Sequence, residues 1–308
     1  MSYFKKQKCE FDNPVVIMGT FDGVHLGHQK ILQQLKAKAQ QVNGQAVVIS
    51  YYHHPLEIIH KKTFPYLLTE RDRKEKLLKQ YGADCVLFLD FDHDMAQMEP
   101  TEFLEKIILE EVGAKYLIAG YDTHFGKFRQ GSYQFLKENE KKYNYQVELV
   151  EPFKIHNRII SSSLIRDFVR EGDMQDVAQC LGRYYTVSGT IIVGQRIGRE
   201  IGFPTINVQP DDVNKLLPGI GVYICDVLLG SEILKGVTNI GYSPTLKTVN
   251  IKEIETFILD FDRDIYHEQV EIVFHKKLRD EQVFKSKEEL IEEINNDVIK
   301  TRSYFANK

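Results

Sequence analysis

Apolar residues in the first half of the chain occur in short runs, with longer amphipathic stretches between them. The runs predict five strands, at residues 15–18, 46–50, 85–89, 116–119 and 146–150. The stretches between them have apolar residues at helical spacing, and Thr69 and Asp72 predict a capping box before one of these helices. Strands that alternate with helices predict a parallel sheet covered on both faces, with ligands at the carboxyl ends of its strands.

The second half has a different pattern, in which strands follow one another with only turns between them. They are predicted at residues 185–193, 222–229, 234–240, 254–260 and 269–274, a spacing typical of an antiparallel barrel or sandwich. A long helix follows, beginning at a capping box formed by Ser286 and Glu289. The change of pattern predicts two domains, residues 1–182 and 183–308.

The composition is that of a globular protein and argues against several classes of partner and location. The 308 residues are 43% hydrophobic and 27% charged, which is ordinary for two globular domains. The net charge of −4 gives no reason to expect a nucleic-acid or anionic-membrane partner. The longest apolar runs are too short to span a bilayer, and the first residues lack the apolar stretch of a signal peptide. We therefore expect a cytoplasmic protein, and self-association is left open by the sequence.

The first candidate site follows the strand at 15–18, where a glycine-bearing turn leads into a helix. A helix N-terminus binds phosphate, and Gly19 and Gly27 would let the backbone approach a ligand closely. His25 and His28 could donate hydrogen bonds to charge that develops on a phosphate. The alternative is a turn with helix-capping histidines and no chemistry.

A second anion-binding element is predicted at the start of a later helix. Ser162 and Ser163 lie at its N-terminus, and Arg166 lies four residues after Ser162, over the same turn. One serine suffices to cap a helix, so the additional hydroxyl and the guanidinium favour an anion site over a simple cap.

Glycines and arginines cluster in one strand-to-loop passage of the second half. Gly194, Gly198 and Gly202 permit close backbone approach, and Arg199 could bind phosphate. The alternative is a flexible hairpin with solvated arginines. Pro204 then fixes the turn before an extended segment.

Three polar residues complete the candidate chemistry of the second half. Thr205 and Asn207 point to one face of the extended segment and offer the oxygen ligands that Mg²⁺ prefers. Glu255 shares a strand face with Phe257 and Leu259, where a carboxylate could act as a catalytic base for phosphoryl transfer. The alternative for Glu255 is an edge-strand residue that turns into solvent.

Taken together, these elements resemble the bacterial bifunctional riboflavin kinase/FMN adenylyltransferases, also called FAD synthetases. The family pattern GxFDGVHxGH is matched at residues 19–28, and His54 and Pro55 remain of a PHP element. A GxDFxFGxxRxG loop corresponds to residues 120–131. The kinase pattern GRxxGFPTxN is matched at residues 198–207, and a further match is Leu278-Arg279.

The resemblance implies a Rossmann-like nucleotidylyltransferase domain followed by a flavokinase-like antiparallel β-barrel closed by the long helix. It implies ATP-dependent phosphorylation of riboflavin to FMN, then adenylyl transfer from ATP to FMN, with Mg²⁺ as cofactor. In the first domain His25 and His28 would stabilise the transferring phosphate. The predicted ATP and phosphate ligands there are Gly19, Phe21, Gly27, Ser162, Ser163 and Arg166.

The same resemblance assigns the remaining contacts. The predicted flavin ligands of the first domain are His54, Pro55, Asp122 and Phe125. In the kinase domain, Arg279 would bind flavin, Glu255 would be the base, and Thr205 and Asn207 would hold the metal. The predicted ATP ligands of that domain are Gly194, Gly198, Arg199, Gly202 and Pro204.

The chain departs from the family pattern at four positions. His53 replaces a proline, Thr123 an aromatic residue, Ser243 an arginine and His267 a glycine. Two alternatives therefore stay open at the level of sequence. One is a nucleotidyltransferase for another phosphate acceptor, and the other is a flavin-responsive regulatory or binding protein with one activity weakened.

Overall fold

The computed structural model describes residues 3–4, 11–59, 67–155, 157–194, 198, 201–242 and 252–308. The chain forms two compact units, Met1–Ser162 and Ser163–Lys308. In the described part of the chain, no helix is both long and apolar enough to cross a membrane.

A parallel five-stranded sheet forms the centre of the first unit. Its strands are β1 Val15–Met18, β2 Ala46–Tyr51, β3 Cys85–Leu89, β4 Tyr116–Gly120 and β5 Gln146–Val150. They lie in the order β3-β2-β1-β4-β5, so the chain reverses its direction of winding between β1 and β4. In open α/β sheets such a reversal creates a crevice at the carboxyl ends of the two strands. The loops after β1 and β4 carry the predicted nucleotide and flavin residues.

The helices of this unit cover both faces of the sheet. They are α1 Leu26–Gln41, α2 Pro55–Ile59, α3 Arg71–Gln80, α4 His93–Ala96, α5 Pro100–Glu102 and α6 Tyr133–Tyr143, with π-helical turns over Phe103–Glu111. Alternate residues of β1 enter opposite cores: Val16 and Met18 pack in one apolar cluster, Val15 and Ile17 in the other. Burial on both faces explains why β1 to β4 are nearly continuous apolar runs, whereas the edge strand β5 has exposed polar residues. The predicted parallel sheet is confirmed. A short β6–β7 hairpin, Lys154–Ile155 with Arg158–Ile159, precedes the second unit.

The predicted capping box before α3 is wrong. Glu70 is the N-cap residue, and it makes no side-chain cap hydrogen bond. The backbone N–H of Thr69 donates instead to the buried carboxylate of Asp22, at 3.0 Å. A tertiary contact has replaced the local one, which no sequence spacing reveals.

A closed antiparallel barrel of six strands forms the second unit, so the barrel alternative is confirmed over the sandwich. The strands are β8 Tyr185–Ile192, β9 Thr205–Pro210, β10 Gly221–Leu229, β11 Glu232–Tyr242, β12 Lys252–Ile258 and β13 Gln269–Arg279. Their order is β10-β11-β12-β9-β8-β13, closed by pairing of β13 with β10. The long helix α9, Lys287–Ala306, begins at Ser286, whose hydroxyl accepts from the Glu289 N–H as predicted.

Two helices precede the barrel, α7 Ser162–Glu171 and α8 Met174–Leu181. Helix α8 packs against β8 and β13, and it buries Met174, Val177 and Leu181. The predicted functional boundary at 182/183 stays a prediction, because compactness and function need not divide a chain at the same residue.

Two candidate active sites

The two predicted histidines lie together at the first turn of α1. His25 is the N-cap residue, and its ring Nδ1 accepts from the backbone N–H of His28 at 3.3 Å. A ring nitrogen that accepts carries no proton, so the proton of the neutral His25 imidazole is on Nε2. The two rings stack with centroids 3.6 Å apart and planes 18° from parallel. The arrangement presents two imidazoles at a helix N-terminus, where backbone N–H groups and the helix dipole favour an anion.

The turn before α1 is strained. Phe21 and Val24 have φ of 50° and 39°, a region that side chains disfavour and that functional sites often contain. The Phe21 ring meets the His28 ring edge-on at 5.1 Å. A Cβ on Gly27 would lie 3.1 Å from the His25 imidazole. Any larger residue would make a tight contact with the histidine ring at this position, a constraint that the sequence prediction did not contain.

Hydrogen bonds to Asp22 hold the turn that precedes α1. The Asp22 carboxylate, 2% exposed, accepts from the backbone N–H groups of Leu68 and Thr69. The Ser162 hydroxyl donates to the Asp22 carbonyl at 2.9 Å, so the first serine of α7 contacts the histidine turn. Asp22 lies inside the matched sequence pattern, but its partners are distant in the chain and could not be foreseen.

Two predicted phosphate ligands belong to the second unit. Ser163 and Arg166 follow Ser162 on α7, and Arg166 is buried. Their role in binding pyrophosphate stays a prediction.

The predicted flavin residues of the first unit differ in exposure. Asp122 is exposed in the loop after β4, whereas Phe125 is buried between the rings of Phe103 and Phe135. The most exposed ring of this loop is that of Phe128, which is 78% exposed at a φ of 53° and was missed by the sequence prediction. The contact of Phe125 with flavin stays a prediction, since the ring's described partners are core residues.

The other two flavin candidates start helix α2. Pro55 is its first residue, and the Nδ1 of His54 accepts from the Leu56 N–H at 3.2 Å, which caps the helix. His53, at the position of a family proline, lies with Nδ1 3.4 Å from a Glu57 oxygen and is half exposed. Flavin binding by His54 and Pro55 remains a prediction.

The second candidate site is a cavity of about 500 Å³ in the barrel unit. Its walls include five of the predicted kinase residues: Gly198, Thr205, Asn207, Glu255 and Arg279. Gly202 and Pro204 lie in the turn that leads into β9, and Gly194 follows β8. Arg199 lies outside the described residues.

Strand register explains how the polar residues meet in this cavity. Glu255 of β12 pairs with Asn207 of β9 on one side and with Asn239 of β11 on the other. Residues directly opposite in a sheet have Cβ atoms about 5 Å apart, so one carboxylate lies between two amides. Phe257, paired with Thr205, shares the cavity face with Glu255 as predicted, whereas Leu259 follows the end of β12 and does not line the cavity.

Burial gives Glu255 an unusual proton affinity. Burial raises the pKa of its carboxyl above the usual range, and the nearby Glu253 carboxylate raises it further. A carboxylate held in this way binds a proton more readily than a solvated one, as a general base requires. Asn239 and Glu253 were not among the sequence candidates, because their role appears only through the register.

The predicted metal ligands offer a hydroxyl and an amide oxygen, a donor set that suits Mg²⁺. A Cβ on Gly194 would overlap the side-chain amide of Asn207, so glycine leaves the space that this amide occupies. In the residues that the structure describes, no three His, Cys, Asp or Glu side chains are grouped to hold a metal. Metal binding by Thr205 and Asn207 stays a prediction.

Arg279 lies in the cavity wall and ties β13 to α9. Its Nη2 and Nε donate to the Asp297 carboxylate at 2.8 and 3.0 Å, and Asp297 is only 1% exposed. The sequence prediction missed Asp297. Asp297 follows Ile294 by three positions on α9 and therefore lies on the apolar side of this helix. A carboxylate at such a position was the sequence signal that could have identified it. Flavin binding by Arg279 stays a prediction.

Comparison with known proteins agrees with the order of the two units. A family model described as FAD synthetase matches residues 7–164, and one described as riboflavin kinase matches residues 181–305. The chain is 34% identical over 296 residues to the bifunctional riboflavin kinase/FMN adenylyltransferase of Listeria monocytogenes, with 96% of this chain and 93% of the relative covered. The enzyme of the same name from Escherichia coli K12 is 32% identical, with 94% and 92% covered.

A solved structure resembles the chain over nearly its full length. It is the crystal structure of a Streptococcus pneumoniae protein named macrolide-efflux protein, with a TM-score of 0.86, 27% identity and 94% of both chains covered. The likeness extends over both units of the fold.

Proposed function

The chain belongs to the family of bifunctional riboflavin kinase/FMN adenylyltransferases, and from that premise we propose which residues carry its two reactions. It is an enzyme of FAD biosynthesis that phosphorylates riboflavin with ATP and then transfers the adenylyl group of a second ATP to FMN. Both enzymatic domains are present, which favours this function over a regulatory flavin-binding protein. A cytoplasmic location and the absence of a nucleic-acid partner stay predictions.

The adenylyl transfer is assigned to the histidine turn. The α-phosphate of ATP would lie at the α1 N-terminus, and an FMN phosphate oxygen would attack the α-phosphorus while pyrophosphate leaves. Because Nδ1 of His25 accepts from the His28 N–H, the proton of the ring lies on Nε2, the atom that would donate to the phosphate oxygens. His28, stacked on it, is the second donor to the charge that develops on the transferring group. The stacked pair is the observation that carries this assignment.

The riboflavin phosphorylation is assigned to the barrel cavity. Glu255 would take the proton of the riboflavin 5′-hydroxyl as that oxygen attacks the γ-phosphorus of ATP. Its register between Asn207 and Asn239 carries the assignment, because it brings the base beside a predicted metal ligand. Mg²⁺ held by Thr205 and Asn207 would neutralise phosphate charge when bound with the nucleotide.

One assay of the unaltered protein tests the pair of activities. The chain is incubated with ATP and Mg²⁺ and either riboflavin or FMN, and the flavins are separated by chromatography. We expect FMN and FAD from riboflavin, and FAD from FMN. Absence of both products would favour the regulatory alternative, and omission of Mg²⁺ should stop the kinase step.

A further inference from the structure

Lys74 is a buried cation in an unfavourable place. It lies in the first turn of α3 and is 9% exposed. Burial disfavours an ammonium, and so does the positive end of a helix dipole. The side chain is therefore costly to the fold, which makes a purely structural reason for it unconvincing.

The ammonium joins the carboxyl ends of two neighbouring strands. Its Nζ donates to the carbonyl oxygens of Thr20, just after β1, and Tyr51, the last residue of β2, each at 3.3 Å. The Ser50 hydroxyl donates to the same Thr20 carbonyl at 3.2 Å. Across the described part of the chain, the hydrogen bonds of this ammonium go only to these carbonyls.

The charges around Lys74 come from three elements. Burial lowers the pKa of Lys74 to about 8, and the Arg71 guanidinium on the same helix acts in the same direction. The Asp22 carboxylate of the histidine turn and the Glu57 carboxylate of α2 act against that fall. The Phe88 ring of β3 lies 5.4 Å from Nζ. The pKa of the Lys74 ammonium, about 8, therefore lies within the pH range in which enzymes work.

The Thr20 carbonyl links the hydrogen bond from Lys74 to the histidines of the next turn. The next residue, Phe21, has a strained φ of 50°, and its ring packs edge-on against His28. A strained conformation persists only where its surroundings hold it, and here Lys74 and Ser50 hold the carbonyl that precedes it.

We propose that Lys74 is a positioning residue for adenylyl transfer, whose ammonium holds the Thr20 carbonyl and thereby fixes the turn that orients His28. The inference rests on the proposed placement of this reaction at the histidine turn. The positive charge matters because a charged donor makes a hydrogen bond roughly twice as strong as a neutral one.

The first test replaces Lys74 by methionine, which keeps the length of the side chain and removes the donor. We expect kcat for FAD formation from FMN to fall about 10- to 100-fold, since a displacement near 1 Å at a reacting group has effects of that size. Riboflavin phosphorylation by the same variant should be unchanged. Lys76→Met, two residues along the same helix and exposed, is the matched control and should behave as the unaltered enzyme. A kcat within two-fold of normal, or an equal loss of both activities, would overturn the proposal.

The second test uses pH and does not depend on how well the methionine variant folds. FAD formation by the unaltered enzyme should decline as pH rises through about 8, because the ammonium loses its proton. Lys74→Arg keeps its charge and should lack this decline. An identical decline in both would contradict the proposal. His28→Ala distinguishes a wrong role for Lys74 from a wrong site. If FAD formation is intact in both the Lys74 and the His28 variants, the placement of the reaction at the histidine turn is wrong. If FAD formation is lost only in His28→Ala, the role of Lys74 is wrong and the placement stands.

Discussion

His28 is the residue through which the first site can be tested most directly. In His28→Ala, FAD formation from FMN should fall roughly 10²–10³-fold, the usual effect of removing one preorganised donor to developing charge. Riboflavin phosphorylation should persist, because it is assigned to the barrel unit. The measurement is the rate of each step with the flavins separated. A normal rate of FAD formation would show that the reaction takes place elsewhere.

Glu255 offers the corresponding test of the second site. In Glu255→Gln, riboflavin phosphorylation should fall about 10²–10⁴-fold while flavin and nucleotide still bind, because the amide keeps the shape but accepts no proton. Conversion of FMN to FAD by the same variant is the internal control. A loss of both activities would indicate that Glu255 supports the fold.

The raised pKa of Glu255 also predicts a pH dependence. A base must be ionised, so kinase activity should fall as pH decreases through that raised pKa, at higher pH than for a solvated carboxyl. Glu253→Gln removes the neighbouring negative charge, so the fall should move to lower pH. If the pH profile of this variant is unchanged, Glu253 does not influence the base.

At the level of single residues, sequence motifs predicted the groups that would touch a ligand but not those that hold them. His25, His28 and Glu255 stand in recognisable patterns. Lys74 and Asp297 each lie on a helix, and a charged residue of a helix is ordinarily expected to face solvent. The fold shows that both are buried and that each is bound to a group 18 or more residues away, which helical spacing does not reveal.

Helix α9 is the element whose attachment to the barrel is most open to test. Asp297→Asn would leave the Arg279 guanidinium without its buried carboxylate partner, so the free energy of unfolding should fall by about 1–3 kcal/mol. The KM for riboflavin should rise, because Arg279 and Asp297 both form the cavity wall, whereas FAD formation from FMN should not change. Thermal unfolding and steady-state kinetics measure the two effects.

A matched variant is Glu293→Gln, which removes a more exposed carboxylate 3.4 Å from the same guanidinium. We expect a smaller effect on both quantities, since exposed ion pairs contribute little. Equal effects of the two variants would argue against a special role for the buried pair.

Elements were predicted well where a single physical signal dominates. Strands β1 to β4 are buried on both faces, so their apolar runs gave bounds within one residue of those observed. The edge strand β5 is partly exposed, and its predicted bounds nevertheless agree with those observed. Strand β9 was foreseen only as an extended segment, and its pairing with β8 and β12 appears only in the fold. The barrel could not be distinguished from a sandwich by spacing, since closure depends on the pairing of β10 with β13, far apart in the chain.

For the whole molecule, the division into two units means that the two reactions should respond to mutation separately. Each candidate site has its own core and its own polar supports: Asp22 and Lys74 in the sheet unit, Asn239 and Asp297 in the barrel unit. A variant at one of these supports therefore serves as the control for the other reaction in full-length protein. Ser163 and Arg166 are excluded from this use, because they are predicted ligands of adenylyl transfer that belong to the barrel unit.

The position of the boundary predicts how fragments behave. Residues 163–308 should fold alone and phosphorylate riboflavin, because the barrel keeps α7, α8 and α9. Residues 183–308, which follow the boundary predicted from the sequence, lose the apolar contacts of Met174, Val177 and Leu181, each worth roughly 1.5–3 kcal/mol when fully buried. They also lose the hydrogen bond from the Gly219 N–H to the Val169 carbonyl at 2.8 Å. The shorter fragment should therefore unfold at a clearly lower temperature and form less FMN. Equal stability and activity of the two fragments would show that the barrel does not need these helices.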